Sequence, residues 1–207
     1  MSPKPLTGKK VAVLTEHEFI PEEMDYYRIG FEVLGAEVEF LTIFWPGPEQ
    51  EKRTLYADVT NPSVPRSMEV DFKHNNVAGH RADEYAIVIQ AANYTAVRLR
   101  EIPPMDSFGS PEETRNAPAV RFFADAMRNK QIIKGAMCHA LWILTPYPEL
   151  LKGRRVICHT VVLADIHNAG ATYVPEYVVV DDDLVTARSA ANLKEYFEAL
   201  VNAALTR

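Results

Sequence analysis

The sequence predicts an α/β fold: a doubly wound, mostly parallel sheet flanked by helices, flavodoxin-like, with a small extra hairpin. Three observations predict it. Short β-rich runs alternate with helix-patterned segments over nearly the whole chain. A strand, a helix and a second strand succeed one another within about 32 residues near the N-terminus, the length of a βαβ unit. The 207 residues, 47% of them hydrophobic, suffice for a substantial core and suit one domain, 1–207, with an irregular insert at about 44–82.

Taken in order, Val11–Thr15 is a short apolar run suited to burial on both faces of a parallel sheet. A helix over Pro21–Leu34 has proline in its first turn, Glu22 and Glu23 at the favourable end of its dipole, and an apolar face of Met24, Tyr27, Phe31 and Leu34. Gly35 stops it, and Ala36–Thr42 alternates as a second strand. The insert carries turn clusters at Phe44–Pro48, Asn61-Pro62 and Val64-Pro65, with short strands expected at Thr54–Val59 and Ser67–Lys73. Asp83–Gln90 reads as a buried strand. A loop with Pro103, Pro104 and Pro111 precedes a helix through Val120, Phe123, Ala124 and Met127. Beyond residue 144 the expected elements are a short helix at Tyr147–Gly153, a strand at Arg155–His159 and a glycine-capped helix at Leu163–Gly170. Strands at Val174–Val180 and Leu184–Ala187 then flank a turn at Asp181–Asp183, and an amphipathic helix closes the chain at Ala191–Leu205.

Net charge is −6, so the chain has no basic footprint for nucleic acid or anionic lipid. No apolar run approaches a membrane span, and the polar N-terminus lacks the apolar core of a signal peptide. Two cysteines, Cys138 and Cys158, make no disulfide framework, which points to free thiols in a reducing cytoplasm.

The chemistry concentrates in Gln131–Leu144. A buried strand ends in the small residues Gly135 and Ala136, presents Cys138 and His139, and continues in helix formers. A cysteine at such a corner sits at a helix N-terminus, where the dipole favours thiolate. Against this stands a small hydrophobe in a core run, the common role of a buried cysteine. His139 is positioned either as a general acid/base or as a surface group. Cys158-His159 repeats the dipeptide, with Asp165 and His167 after it. Their spacing matches no zinc pattern, so neither metal nor other cofactor is expected. Trp142 and Tyr147 read as core or pocket wall. Gly8-Lys-Lys10 precedes its strand and is no phosphate loop.

Ala136–Leu144, with Cys138-His139 at its corner, resembles the Cys-His elbow of the DJ-1/PfpI (ThiJ/PfpI) superfamily, which shares the class I glutamine amidotransferase-like fold. Leu14–Met24 is similar to the family's first loop, with its acidic residue. Leu151–Arg155, Asn168–Gly170, Glu176–Asp181 and Val185–Arg188 are similar to its C-terminal half. The resemblance implies Glu23 as the acidic partner of Cys138: it precedes Gly35 by 12 residues, the family interval. Glu22 and Glu18 are nearby alternatives. It implies that His159 lines the pocket and that the amides of His139 and Ala92 hold an oxyanion. The chain departs from the family at Ala91-Ala92, where a Gly-Gly pair is usual, and at Ala140, where glycine is preferred. The acidic residue lent across a subunit interface has no clear counterpart, and Asn93 or Tyr94 falls in its neighbourhood. The function implied is a cysteine-dependent hydrolase or glyoxalase/deglycase acting on a small carbonyl or amide-type electrophile, cytoplasmic and a homodimer or larger homo-oligomer. The alternatives are a redox or stress sensor whose cysteine oxidises to sulfinate, and a non-catalytic scaffold.

Overall fold

The computed structural model describes residues 3–44, 51–58, 66–102 and 108–207. The first apolar run forms β1 (Lys10–Leu14), which leads through a loop into α1 (Pro21–Val33) and then β2 (Glu37–Leu41). β1 and β2 pair in parallel with Val13 beside Phe40, as a βαβ unit requires. Met24, Tyr27 and Phe31 are buried on one face of α1, as their spacing demands.

The insert forms β3 (Lys52–Tyr56) and β4 (Ser67–Asp71), an antiparallel two-stranded sheet separate from the main one. It is tied to the body by Glu16, buried just past β1. Glu16 accepts from Arg53 Nη2 at 2.8 Å and Nη1 at 3.0 Å, and from Thr42 Oγ1 at 2.6 Å. The expected breaks at 45–48, Asn61-Pro62 and Val64-Pro65, the strand end at Val59, and Pro103 and Pro104 lie outside the described residues.

α2 (Phe72–Asn75) is a single turn. β5 (Ile87–Gln90) is shorter than the expected Asp83–Gln90, because residues 82–84 coil into a 3-10 turn. Two helices unforeseen in the sequence come next, α3 (Thr95–Leu99) and α4 (Pro111–Asn116), before the amphipathic α5 (Pro118–Arg128). β6 (Ile133–Met137) is buried throughout. Its Gly135 lies within the strand and leaves room for Tyr196 Oη and Leu200, so it serves packing rather than a tight turn.

The C-terminal part departs most from expectation. The strand over Arg155–His159 is only β7 (Arg155–Val156), which after α6 (Leu163–Asn168) pairs with β8 (Thr172–Tyr173) outside the main sheet. Tyr147–Gly153 forms a 3-10 turn at Pro148–Leu150 instead of a helix. The strand at Val174–Val180 begins late, as β9 (Val178–Asp181), and turns back into β10 (Leu184–Ala187). α7 (Leu193–Leu205) closes the chain.

The main sheet runs β2-β1-β5-β6-β10-β9, parallel except for β9, with helices packed on it. One core holds α5 and residues 140–144, the other α1 and α7, so the sheet is covered on both faces. The architecture is therefore the expected mixed α/β fold. Among the described residues no helix is long and apolar enough to cross a membrane.

Candidate functional site

In a sheet of this kind, residues just past the carboxyl ends of adjacent strands converge. Here these are Cys138 after β6 and Ala91–Tyr94 after β5, with Arg188 after β10 beside them. Cys138 occupies the left-handed region at φ +62°, a conformation that costs a side-chain-bearing residue about 1–2 kcal/mol. Both of its backbone groups are pinned by neighbouring segments. Its N–H donates to Ala187 O at 2.9 Å, and its C=O accepts from His159 N–H at 3.0 Å. The strain thus sits on the cysteine itself and not on the small residues before it.

Past the corner the chain forms a 3-10 turn of five residues, Ala140–Leu144, in place of the expected α-helix. A turn this short has little dipole to offer, and the thiol is 9% exposed. Burial pushes its pKa up to about 11, the nearby charge of Glu23 adds to the rise, and the amides of His139 and Asn93 and the charge of Arg188 oppose it. The resting group is therefore a neutral thiol, which corrects the expectation of a thiolate. Its sulfur lies 3.0 Å from His139 Nδ1.

His139 is itself buried, and burial together with the charge of His159 lowers its pKa, so the ring is neutral at physiological pH. It stacks on His159 (centroids 4.6 Å apart, 22° between planes) and on Tyr94 (5.2 Å, 26°). Trp142 lies 5.1 Å from it and donates Nε1–H to Asp165 at 2.8 Å.

Of the three candidate acids only Glu23 is buried. Glu22 is exposed, and Glu18 turns outward to Arg98 at 3.1 Å. Glu23 accepts from Tyr27 O–H at 2.8 Å and from the Ala92 N–H, 3.1 Å from each of its oxygens. Burial raises its pKa to about 7 against those two hydrogen bonds. This corrects the expectation for Ala92. Its amide is committed to Glu23, and the amides that face the sulfur are those of Asn93 and His139. Ala91 and Ala92 need no left-handed backbone; the positive φ after β5 falls on Asn93, at +61°.

Cys158 is core, 1% exposed, with a pKa pushed up to about 12 by burial. Its carbonyl accepts from Arg188 Nη1 at 3.4 Å. Among the described residues, no three His, Cys, Asp or Glu side chains gather as metal ligands would. A cavity of about 470 Å³ lies near the N-terminal ends of β5 and β6, with His80, Arg121 and Asp125 in its wall, and it joins no nucleophile to a base. Sequence reasoning left Arg188 and Tyr27 out of the site. The i, i+4 spacing of Glu23 and Tyr27 on one helix was the available signal for the second.

Residues 108–203 match the model of the DJ-1/PfpI family. The chain is 27% identical over 199 residues to an uncharacterized protein of Staphylococcus epidermidis, covering 94% of this chain and 96% of that protein. Among solved structures, it is similar to a two-domain protein from Anabaena variabilis that contains DJ-1/ThiJ/PfpI-like and ferritin-like domains. That match has a TM-score of 0.74 and 24% identity over 94% of this chain, which spans 47% of the two-domain chain. Drosophila melanogaster DJ-1beta matches with a TM-score of 0.71 and 13% identity, covering 96% of this chain and 91% of that one. The C-terminal half of the chain thus carries the match to the DJ-1/PfpI family, and nearly all of the chain shares the fold of these structures.

Proposed function

We propose that this protein is a cysteine-dependent enzyme acting on small carbonyl compounds, of the glyoxalase/deglycase kind, with Cys138 as nucleophile and His139 as its base. The observation that carries the reading is the contact of 3.0 Å between Cys138 Sγ and His139 Nδ1 at a strained corner. A thiol with its pKa near 11 is a weak nucleophile alone, and a neutral imidazole in contact with it supplies the base at the moment of attack. With methylglyoxal, the sulfur adds to the aldehyde carbon as the thiol proton passes to His139. The oxyanion forms against the amides of Asn93 and His139, takes a proton and becomes a hemithioacetal. Through an enediol, the proton on the former aldehyde carbon then moves to the adjacent carbon and the hemithioacetal hydroxyl proton to the ketone oxygen, leaving a lactoyl thioester, which water hydrolyses to lactate and the free thiol. Glu23, with its pKa near 7, serves as the proton carrier for this step.

Formation of lactate from methylglyoxal by the wild type, and its loss in Cys138→Ala, is the expected result. His139→Gln is expected to lower kcat by about a hundredfold. Equal lactate production by wild type and Cys138→Ala would overturn the assignment.

A further inference from the structure

We propose that Tyr94 and His159 are positioning residues that clamp the His139 ring from its two faces and hold Nδ1 against the Cys138 sulfur. The inference rests on the reading of His139 as the base for Cys138 and extends it to the two rings that stack on His139. An adjacent residue leaves a corner in a different direction from the cysteine, so nothing in the local backbone alone brings this ring back to the thiol. Something else must hold it there.

The clamp comes from segments far apart in the chain. His159 stacks at 4.6 Å and 22°, Tyr94 at 5.2 Å and 26°. Two rings stacked on the same face would touch each other. His159 and Tyr94 form no ring pair with each other among the described residues, as rings on opposite faces of His139 would not. His159 is anchored to the corner by its own N–H, 3.0 Å from Cys138 O, and its Nδ1 accepts from Val161 N at 3.4 Å. Tyr94 remains 46% exposed, so its ring is not placed there to fill the core. Trp142, held by Asp165, closes a third side at 5.1 Å.

The arrangement also suits the charge that forms during attack. The titratable groups facing His139 are Cys138 at the corner, His159 after β7 and Tyr94 after β5. When His139 takes the thiol proton, the faces of Tyr94 and Trp142 stabilise the imidazolium, whereas His159 opposes a second cation beside it.

The test reads the thiol directly. Alkylation of Cys138 by iodoacetamide is monitored by peptide mass at pH 7 and pH 11 in the wild type, Tyr94→Leu, Tyr94→Phe and His159→Leu. The ratio of the two rates cancels differences in access and isolates the contribution of the base. The ratio is expected to fall about tenfold in Tyr94→Leu and His159→Leu, part of the full contribution of a general base, and to stay at the wild-type value in Tyr94→Phe. Tyr94→Leu replaces a half-exposed side chain, so it tests the clamp even if His159→Leu fails to fold. An unchanged ratio in Tyr94→Leu, or a fall of equal size in Tyr94→Phe, would overturn the clamp. Because no turnover is measured, an enzyme inactive on methylglyoxal that still shows this pattern loses the proposed substrate and keeps the clamp.

Discussion

The chain writes Cys-His twice, at 138–139 and at 158–159, and folds the two pairs into different chemical settings. Cys138 is held at φ +62° at the end of a central strand, with two amides and an imidazole turned toward its sulfur. Cys158 has no left-handed backbone, is 1% exposed, and belongs to the core beside α5. Burial raises both thiols, to about 11 and about 12, so acidity does not separate them. Position does. The reactivity proposed for Cys138 rests on its meeting a base and a pair of donors, and a strand end in the middle of a parallel sheet is where such groups converge.

The largest expected effect breaks the comparison by exchanging the roles. Cys138→Ala is expected to reduce turnover of methylglyoxal by on the order of a thousandfold, and Cys158→Ala to leave kcat near the wild type while costing about 1 kcal/mol of stability. Steady-state kinetics and urea unfolding measure the two. A large kcat loss in Cys158→Ala with its fold intact would erase the distinction.

Next in size is the effect of Glu23, whose charge acts on Cys138 and is absent from the influences on Cys158. Its pKa rises on folding from 4.5 to about 7, so between these values the folded protein holds a proton that the unfolded chain has released. Stability therefore declines as pH increases through that window, by about 3 kcal/mol if the whole shift is realised, and is highest below it. Glu23→Gln is expected to remove this slope in urea titrations from pH 4.5 to 8 and to lower the Cys138 thiol pKa without moving that of Cys158. A slope that persists in the variant would assign it to another group.

The smallest effect concerns the backbone. Glycine carries no penalty in the left-handed region, so Cys138→Gly is expected to be about 1 kcal/mol more stable than Cys138→Ala. At Cys158 the order is reversed, because glycine adds chain entropy and gains nothing. Urea unfolding of the four variants checks both orders, and alanine equal to glycine at 138 would mean that the corner stores no strain.

Much of the fold was legible because parallel strands buried on both faces are written as unbroken apolar runs. Val11–Leu14, Ile87–Ile89 and Leu184–Val185 are examples, and the glycines at 35 and 170 stop helices as their positions predict. α4 was not foreseen, although Ser110-Pro-Glu-Glu carried its signal. Ser110 Oγ accepts from Glu113 N–H at 3.2 Å, a cap that the surrounding prolines obscured. The turn after Cys138 was not legible. Ala140–Leu144 has the composition of an α-helix, yet it forms a 3-10 turn packed against α3 and α5.

The alternation of strands and helices and the buried run ending at Cys138-His139 were determined by the sequence itself, since apolar periodicity and turn residues act over short range, and the choice of Glu23 came from the family interval to Gly35 that the sequence resembles. Only the tertiary structure decided which amide serves which group, with Ala92 given to Glu23 and Asn93 turned to the sulfur. It alone made one Cys-His pair a candidate site and the other a core residue beside a ring clamp. Those outcomes depend on contacts between segments tens of residues apart, where burial and competition for hydrogen-bond donors, rather than local propensity, set the result.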